Sequence, residues 1–293
     1  MLTESGVACA PPERNGLQAW QPTRCEGRIM TANAARKIVQ FPTAQGRNII
    51  TIASGKGGVG KTWFATTLAH AFTRHGERVL LIDGDLGLAN VDVQLGVMPQ
   101  WDLSAVMSGR VRLSQAIHAY DDGGFDILAG RSGSGVLSTV GREKLLGLRK
   151  AIHKIAARYD RVLIDLGAGI DATVRLLMGG NGTILAVTNS EPTALTDAYA
   201  FIKVARMKYP TANVQLVVNN AATMQDGKRT YATLASACRN FLKIDLPLAG
   251  IVLNDRHVRE AIVHQAPILT RHPTTPASVS VETLCRRLRV EDS

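Results

Sequence analysis

Cysteine is scarce in this chain. Cys9, Cys25, Cys238 and Cys285 are the four present, and no two stand in a C-x-x-C spacing. Such scatter supports neither a zinc ribbon nor an iron–sulfur site, and it disfavours a redox protein with a cluster held between subunits. Free thiols in a reducing cytoplasm fit it best. Aromatic residues make up 5% of the chain. They do not interleave with a basic run and no helix-turn-helix signal occurs, so nucleic-acid binding is not expected. No apolar run approaches the roughly 20 residues that span a bilayer, and the N-terminus lacks a charged segment followed by an apolar one. Secretion and membrane spanning are therefore not expected. Internal repeats and low-complexity segments are also missing.

What is present is ample apolar material: 45% of 293 residues are hydrophobic, enough for one large α/β domain or two small ones. The formal charge of +10 suits DNA, anionic lipid or an acidic partner, or has no specific target, since net charge speaks to association and not to fold. Residues 1–46 hold Pro11, Pro12, Pro22 and Pro42 and no sustained period, and they read as a flexible tail. Met30 offers an alternative start within it. The domain proper is expected over residues 47–293.

From Asn48 onward, short β-branched runs alternate with longer amphipathic ones. Strands are expected at 48–54, 78–83, 125–130, 161–166, 182–188, 213–220 and 248–254. Helices are expected near 61–75, 140–158, 171–178, 192–208, 228–242, 256–264 and 277–289. Most of the strands are almost wholly apolar, as parallel strands covered on both faces are. The expected fold is α/β, a mostly parallel twisted sheet with helices on both sides, whose ligand sits beyond the strands' C-terminal edge.

One motif gives that ligand a chemistry. Gly55-Lys56-Gly57-Gly58-Val59-Gly60-Lys61-Thr62 matches G-x-x-x-x-G-K-[ST] without a mismatch, directly after an expected strand and before an expected helix. Its glycines let backbone N–H groups wrap a phosphate chain, and the helix beginning at Lys61 adds its positive dipole end. Lys61 is expected to reach the β- and γ-phosphates of the nucleotide, and the Thr62 hydroxyl to ligate Mg²⁺. Lys56 is one cation more than such a loop needs. On the residues alone it is a solvated charge that raises anion affinity. Asp83 and Asp85 follow the second strand and Asp165 closes the apolar run RVLID. Carboxylates at a sheet edge hold metal-bound water or orient an attacking one, or else cap the next turn.

The run KGGVGKT resembles the deviant phosphate-loop motif of the MinD/ParA family. That resemblance covers about residues 47–290 and implies a three-layer P-loop NTPase fold of the SIMIBI class with ATP/ADP and Mg²⁺ as cofactors. It implies slow ATP hydrolysis and an ATP-bound homodimer in which Lys56 reaches across to the partner's nucleotide. Asp85 would position the attacking water, Asp83 support the metal shell, and Asp165 bind Mg²⁺ through water. Asn220, rather than Asn219, would contact adenine. Two positions depart from the family: Leu166 replaces a small hydroxyl residue, and Leu253 stands where a proline usually shapes the base pocket.

Within the family, DGDLGLANVDVQLG (83–96), DLGAG (165–169) and EPTALTDAYAFIK (191–203) resemble the FlhG/FleN (YlxH) branch. That branch implies control of flagellar number or placement. The partners implied are an FlhF-like GTPase, a C-ring component or a flagellar transcription regulator, and Asp197 would lie at the dimer face. ParA-like positioning of DNA or division cargo is the alternative, and a non-hydrolysing nucleotide-dependent scaffold a further one. The FlhF-activating segment of the branch is barely kept in NAARKIV (33–39). The final stretch places Val281, Leu284, Cys285 and Leu288 at helical spacing opposite Arg286, Arg287 and Arg289. It reads either as a helix packed on the domain or as a weak, peripheral membrane contact.

Overall fold

Strands that are apolar at every position have no face to offer water, and the chain solves this by covering both faces of one sheet. The computed structural model describes residues 46–130, 141–178 and 182–291. The tail and its 33–39 segment, Cys9, Cys25 and Met30 lie outside them. Strands β1 (Ile49–Ser54), β2 (Val79–Gly84), β3 (His118–Tyr120), β4 (Phe125–Leu128), β5 (Arg161–Ala168), β6 (Thr183–Thr188), β7 (Asn213–Ala221) and β8 (Leu248–Leu253) form one sheet. Its order is β3-β4-β2-β5-β1-β6-β7-β8, and every pairing is parallel except β3 with β4.

Alternation along each strand sorts side chains into two cores. Ile49 and Ala53 of β1 join one, with Val162, Ile164 and Leu166; Ile50 and Ile52 join the other, with Leu81 and Leu163. The first core is closed by α4 (Arg142–Ala156), α5 (Ala172–Leu177), α6 (Pro192–Lys208) and α7 (Met224–Ala237). The second is closed by α1 (Lys61–Arg74), α9 (Ile268–Arg271) and α10 (Pro276–Glu291). Helix α1 lies against the sheet beside α10, which packs on β8, and Trp63, Phe64, Leu68 and Phe72 are all buried.

All seven expected strands and all seven expected helices are present. Helix α7 starts four residues earlier than expected, at Met224, because the Thr223 hydroxyl caps it by accepting from the Asp226 N–H at 3.1 Å. The helix predicted to run to residue 242 widens into a π-turn over Cys238–Leu242. The elements that were not anticipated are β3, α2 (Val91–Leu95), α3 (Leu103–Met107), a 3₁₀ turn at Leu113–Gln115 and α9, each of five residues or fewer. A segment that short shows no period of its own. Between β2 and β1 lies β5.

The C-terminal helix resolves the choice left open by its pattern in favour of packing. Val281, Leu284, Cys285 and Leu288 are buried against β8 and α1. Arg289 donates to Glu77 at 2.6 Å, and Glu77 also holds Arg161 at 2.8 Å. The apolar face that a lipid surface would need is therefore spent on the core. No helix among the described residues is long and apolar enough to cross a membrane.

Asp255 joins α8 (Arg256–Val263) to α10. Its carboxylate caps α8 by accepting the His257 N–H at 3.0 Å, meets His257 Nδ1 at 2.7 Å, and accepts the Ala277 N–H at 3.2 Å. Burial alone would raise its pKa, but these donors and the Thr275 hydroxyl outweigh it and hold the group at about 2. A depressed carboxyl contributes stability that is complete above its ordinary value of 3.8 and is lost as pH falls through about 2. Asp255→Ala is expected to cost about 2 kcal/mol at neutral pH. In urea titrations across pH, the gap between wild type and variant closes between about 4 and 2; a gap independent of pH would refute the assignment.

Candidate functional site

The sheet order brings the three acidic strand ends and the phosphate loop to one edge. Asp165 of β5 lies in register with Asp83 on β2 and with Ile52 on β1, from which the loop departs. The loop is held tightly. A Cβ at Gly55 would stand 2.1 Å from the Asp197 carbonyl oxygen on α6, so only glycine allows that approach. Gly60 takes a left-handed φ of 84° as the residue before α1. The buried Asn219 side chain donates to the Val59 carbonyl at 2.8 Å, and the Gly169 N–H donates to the Ser54 carbonyl at 2.8 Å, pinning the loop to β7 and β5.

Lys61 and Thr62 meet Asp165 at the start of α1. Lys61 Nζ donates to Asp165 Oδ1 at 2.9 Å, and Thr62 Oγ1 donates to Oδ2 at 2.6 Å. Asp165 is fully buried. Burial pushes its pKa up, the Lys61 charge and the two donated hydrogen bonds pull it back, and Asp85 adds a smaller upward push. Leu166 turns to the opposite face, inside the first core, so its departure from the family is one of packing. Its neighbour Gly167 opens onto Asp85.

Asp83 and Asp85 have different surroundings. Asp83 is completely buried and accepts the N–H groups of Asp85, Asn90 and Val91 at 3.0–3.1 Å, which fixes the turn and starts α2. The turn-capping reading describes these bonds; closeness to Asp165 is what remains for a role in a metal shell. Burial first, and then the Asp165 charge, raise the Asp83 pKa to about 7 against the pull of the three amides. Asp85 Oδ1 accepts from Gly87 and Leu88 at 3.1 and 2.9 Å, holding the carboxylate at the wall of the cleft.

That cleft has a volume of about 970 Å³ and is lined by Gly57, Gly60, Lys61, Thr62, Asp85 and Gly167, among others. An adjoining cleft of about 370 Å³ is lined by Trp63, Asn219, Asn220, Leu253, Asn254 and Arg259. Together they offer room for a nucleotide beside the phosphate loop. Asn220 has a left-handed φ of 57° and accepts a hydrogen bond from Asn254, whereas Asn219 points at the phosphate loop. The hydroxyl of Thr62 beside Asp165 is a hard-oxygen pair suited to Mg²⁺, which keeps most of its shell as water and phosphate oxygen. In keeping with that, the described residues hold no cluster of three or more His, Cys, Asp or Glu placed to bind a metal unaided.

Lys56 stands apart from this group. Its Nζ donates to Glu191 Oε2 at 2.6 Å and to Thr193 Oγ1 at 2.8 Å, at the start of α6. The sequence reading missed Glu191, Thr193 and Asn219 in these roles. Lys56 and Glu191 are 135 positions apart, and no spacing rule connects them.

A phosphate loop opening a helix at the switch point of a mostly parallel sheet, with carboxylates on the adjoining strand ends, defines a P-loop nucleotide-binding protein. The chain belongs to the CobQ/CobB/MinD/ParA nucleotide-binding domain family, whose model matches residues 50–278. It is 33% identical over 240 residues to the antiactivator FleN of Pseudomonas aeruginosa, covering 82% of this chain and 85% of that one. It is 30% identical over 225 residues to the flagellum site-determining protein YlxH of Helicobacter pylori, covering 75% and 76%. Among solved structures, the septum site-determining protein MinD complexed with Mg-ADP from Pyrococcus horikoshii superposes with a TM-score of 0.70 at 25% identity. That match covers 84% of this chain and 99% of that one.

Removing the Lys61 ammonium leaves a buried carboxylate with a single hydroxyl donor. Lys61→Met is expected to cost about 3 kcal/mol in urea unfolding at pH 7, and Lys61→Met/Asp165→Asn clearly less than the sum of the two single changes. Additive costs would show that the pair is not coupled.

Proposed function

We infer that this protein is a slowly hydrolysing Mg²⁺-dependent ATPase that works as an ATP-closed dimeric switch in the control of flagellar number or placement. The observation that carries the chemistry is that Lys61, Thr62 and Asp85 line one cleft, with Asp165 buried behind Lys61 and Thr62 and bonded to both. The flagellar assignment is supported by similarity to proteins named FleN and YlxH, and the name antiactivator favours an activator as the protein restrained. Mg²⁺-ATP is supported by the family and by the Mg-ADP complex of a structural relative.

Thr62 would supply a hydroxyl ligand to Mg²⁺, and Asp165, with Asp83 behind it, would act through metal-bound water. Bound Mg²⁺ supplies neutralisation of phosphate charge. Lys61 would reach phosphate oxygens from the cleft wall, beside Asp165. Asp85, held by two amides through Oδ1, keeps Oδ2 for orienting the attacking water. Asn220 offers its amide to the base from the smaller cleft. Lys56 stabilises charge on the partner's transferring phosphoryl group, so turnover requires the dimer. Since those contacts exist only in the closed form, nucleotide state sets its population. The basic tail of residues 1–46 and the domain from 47 onward are proposed as separate parts.

Light scattering with ADP and with ATP tests this reading. ATP is expected to shift Asp85→Ala to a dimer, while phosphate release falls by about 100-fold or more. Lys56→Ala is expected to bind ATP yet lose dimerisation or turnover, turnover by about 1,000-fold. If every form stays monomeric with ATP bound, the trans role of Lys56 is wrong.

A further inference from the structure

Behind the wall of the large cleft lies a second, smaller space that the proposed chemistry does not use. It is a cavity of about 30 Å³ between α1, α2, the β3–β4 pair and the α8–α9 connection. Trp63, Gln94 and Ile262 border both spaces, so the two adjoin. Three of the residues lining the cavity each carry a buried polar atom without a hydrogen-bond partner among the described residues: His70 Nδ1, Gln94 Oε1 and Tyr120 Oη. His70 and Tyr120 are only 8% and 4% exposed. Orphan buried polar atoms are uncommon in a folded chain, because each has given up its bonds to water. Three of them around one space point to a shared partner. Burial, with the Arg74 charge adding to it, lowers the His70 pKa to about 4, so the imidazole is neutral at pH 7. Burial first and the Asp122 charge second raise the Tyr120 phenol to about 12, so it too is neutral. An amide completes the set. With no formal charge among the three and Arg74 near His70, the set disfavours a cation, and Arg74 is itself engaged by the Leu269 carbonyl and Glu282.

We propose that His70, Gln94 and Tyr120 form a buried hydration site, holding about two water molecules, that ties α2 to α1 and to the sheet edge at β3. Water suits all three groups. It donates to the Gln94 oxygen, and it bonds the imidazole nitrogen and the phenol in whichever sense their protons require. Two of the groups are presented from fixed supports: His70 stands on the long helix α1, and the Tyr120 ring packs on Phe125 with centroids 5.2 Å apart. The third belongs to a helix of five residues whose other polar ties come from outside the cavity. The Val91 N–H donates to Asp83 at 3.0 Å, and Gln265 donates to the Val93 carbonyl at 2.8 Å. The hydration site adds a tie from the inner side. Because Val93 and Gln94 also line the large cleft, that tie fixes part of the cleft wall from behind. Gln94 and Tyr120 are thus positioning residues for α2.

Two measurements on the full, nucleotide-free chain test the site and the tie. In a high-resolution crystal structure, ordered water is expected within hydrogen-bond distance of at least two of the three atoms. Direct bonds among the three side chains, or a dry cavity, overturn the site. Amide hydrogen exchange read by mass spectrometry tests the tie. Tyr120→Phe removes one oxygen that makes no hydrogen bond to α2 itself. It is nevertheless expected to quicken exchange over α2 about 3- to 10-fold while β1 and β5 keep their protection. Gln94→Leu is expected to do the same, and Tyr120→Phe/Gln94→Leu no more than Gln94→Leu alone, because a bridge broken at one end is not broken again at the other. Unchanged exchange over α2 in Tyr120→Phe, quickening of every segment alike, or effects that add in the double variant overturn the tie.

Discussion

The buried carboxylate of Asp165 is the constraint around which the site is assembled. A charge that deep is tolerable only with close partners, and Lys61 and Thr62 provide them from the first turn of α1. The partners are also the groups that a phosphate chain and its metal require. Satisfying the carboxylate in the single chain therefore fixes the lysine and the hydroxyl of the phosphate-loop motif at the cleft wall. This is pre-organisation obtained from a folding requirement.

The two lysines of the loop illustrate opposite uses of environment. Lys61 is buried and paired with a buried anion, so its position is determined by the core. Lys56 is paired at the surface with a carboxylate on a different helix, where water and salt weaken the contact. The difference in burial separates one cation fixed by the core from one held at the surface. The same contrast divides Asp83 from Asp85: the first is consumed by three amides and organises the turn, while the second holds to two and remains at the cleft wall.

Much of this was legible in advance because long apolar strands and a gapless phosphate-loop motif carry their meaning locally. The strands of the parallel sheet and the major helices were readable for that reason, and so was the motif that contains Lys61 and Thr62. The fold, the family and its flagellar branch agree with the similarities found. What could not be read were short elements that start on a single carboxylate cap. Helix α2 starts on the carboxylate of Asp83, α3 on Asp102, and neither shows a period within five residues. The amphipathic pattern of α10 was compatible with lipid or core, since periodicity reports an apolar face and not what covers it.

By itself the sequence determined the α/β alternation, the loop that wraps phosphates and the identity of the acidic strand ends, since each depends on residues adjacent in the chain. The tertiary structure decided that β5 lies between β1 and β2, placing Asp165 against both the loop and Asp83. It decided that Asn219 steadies the loop while Asn220 borders the smaller cleft, and that Lys56 meets Glu191. Those outcomes follow from which strands and helices become neighbours. Neighbour choice is set by burying apolar surface across the whole domain, a property that no local pattern of residues contains.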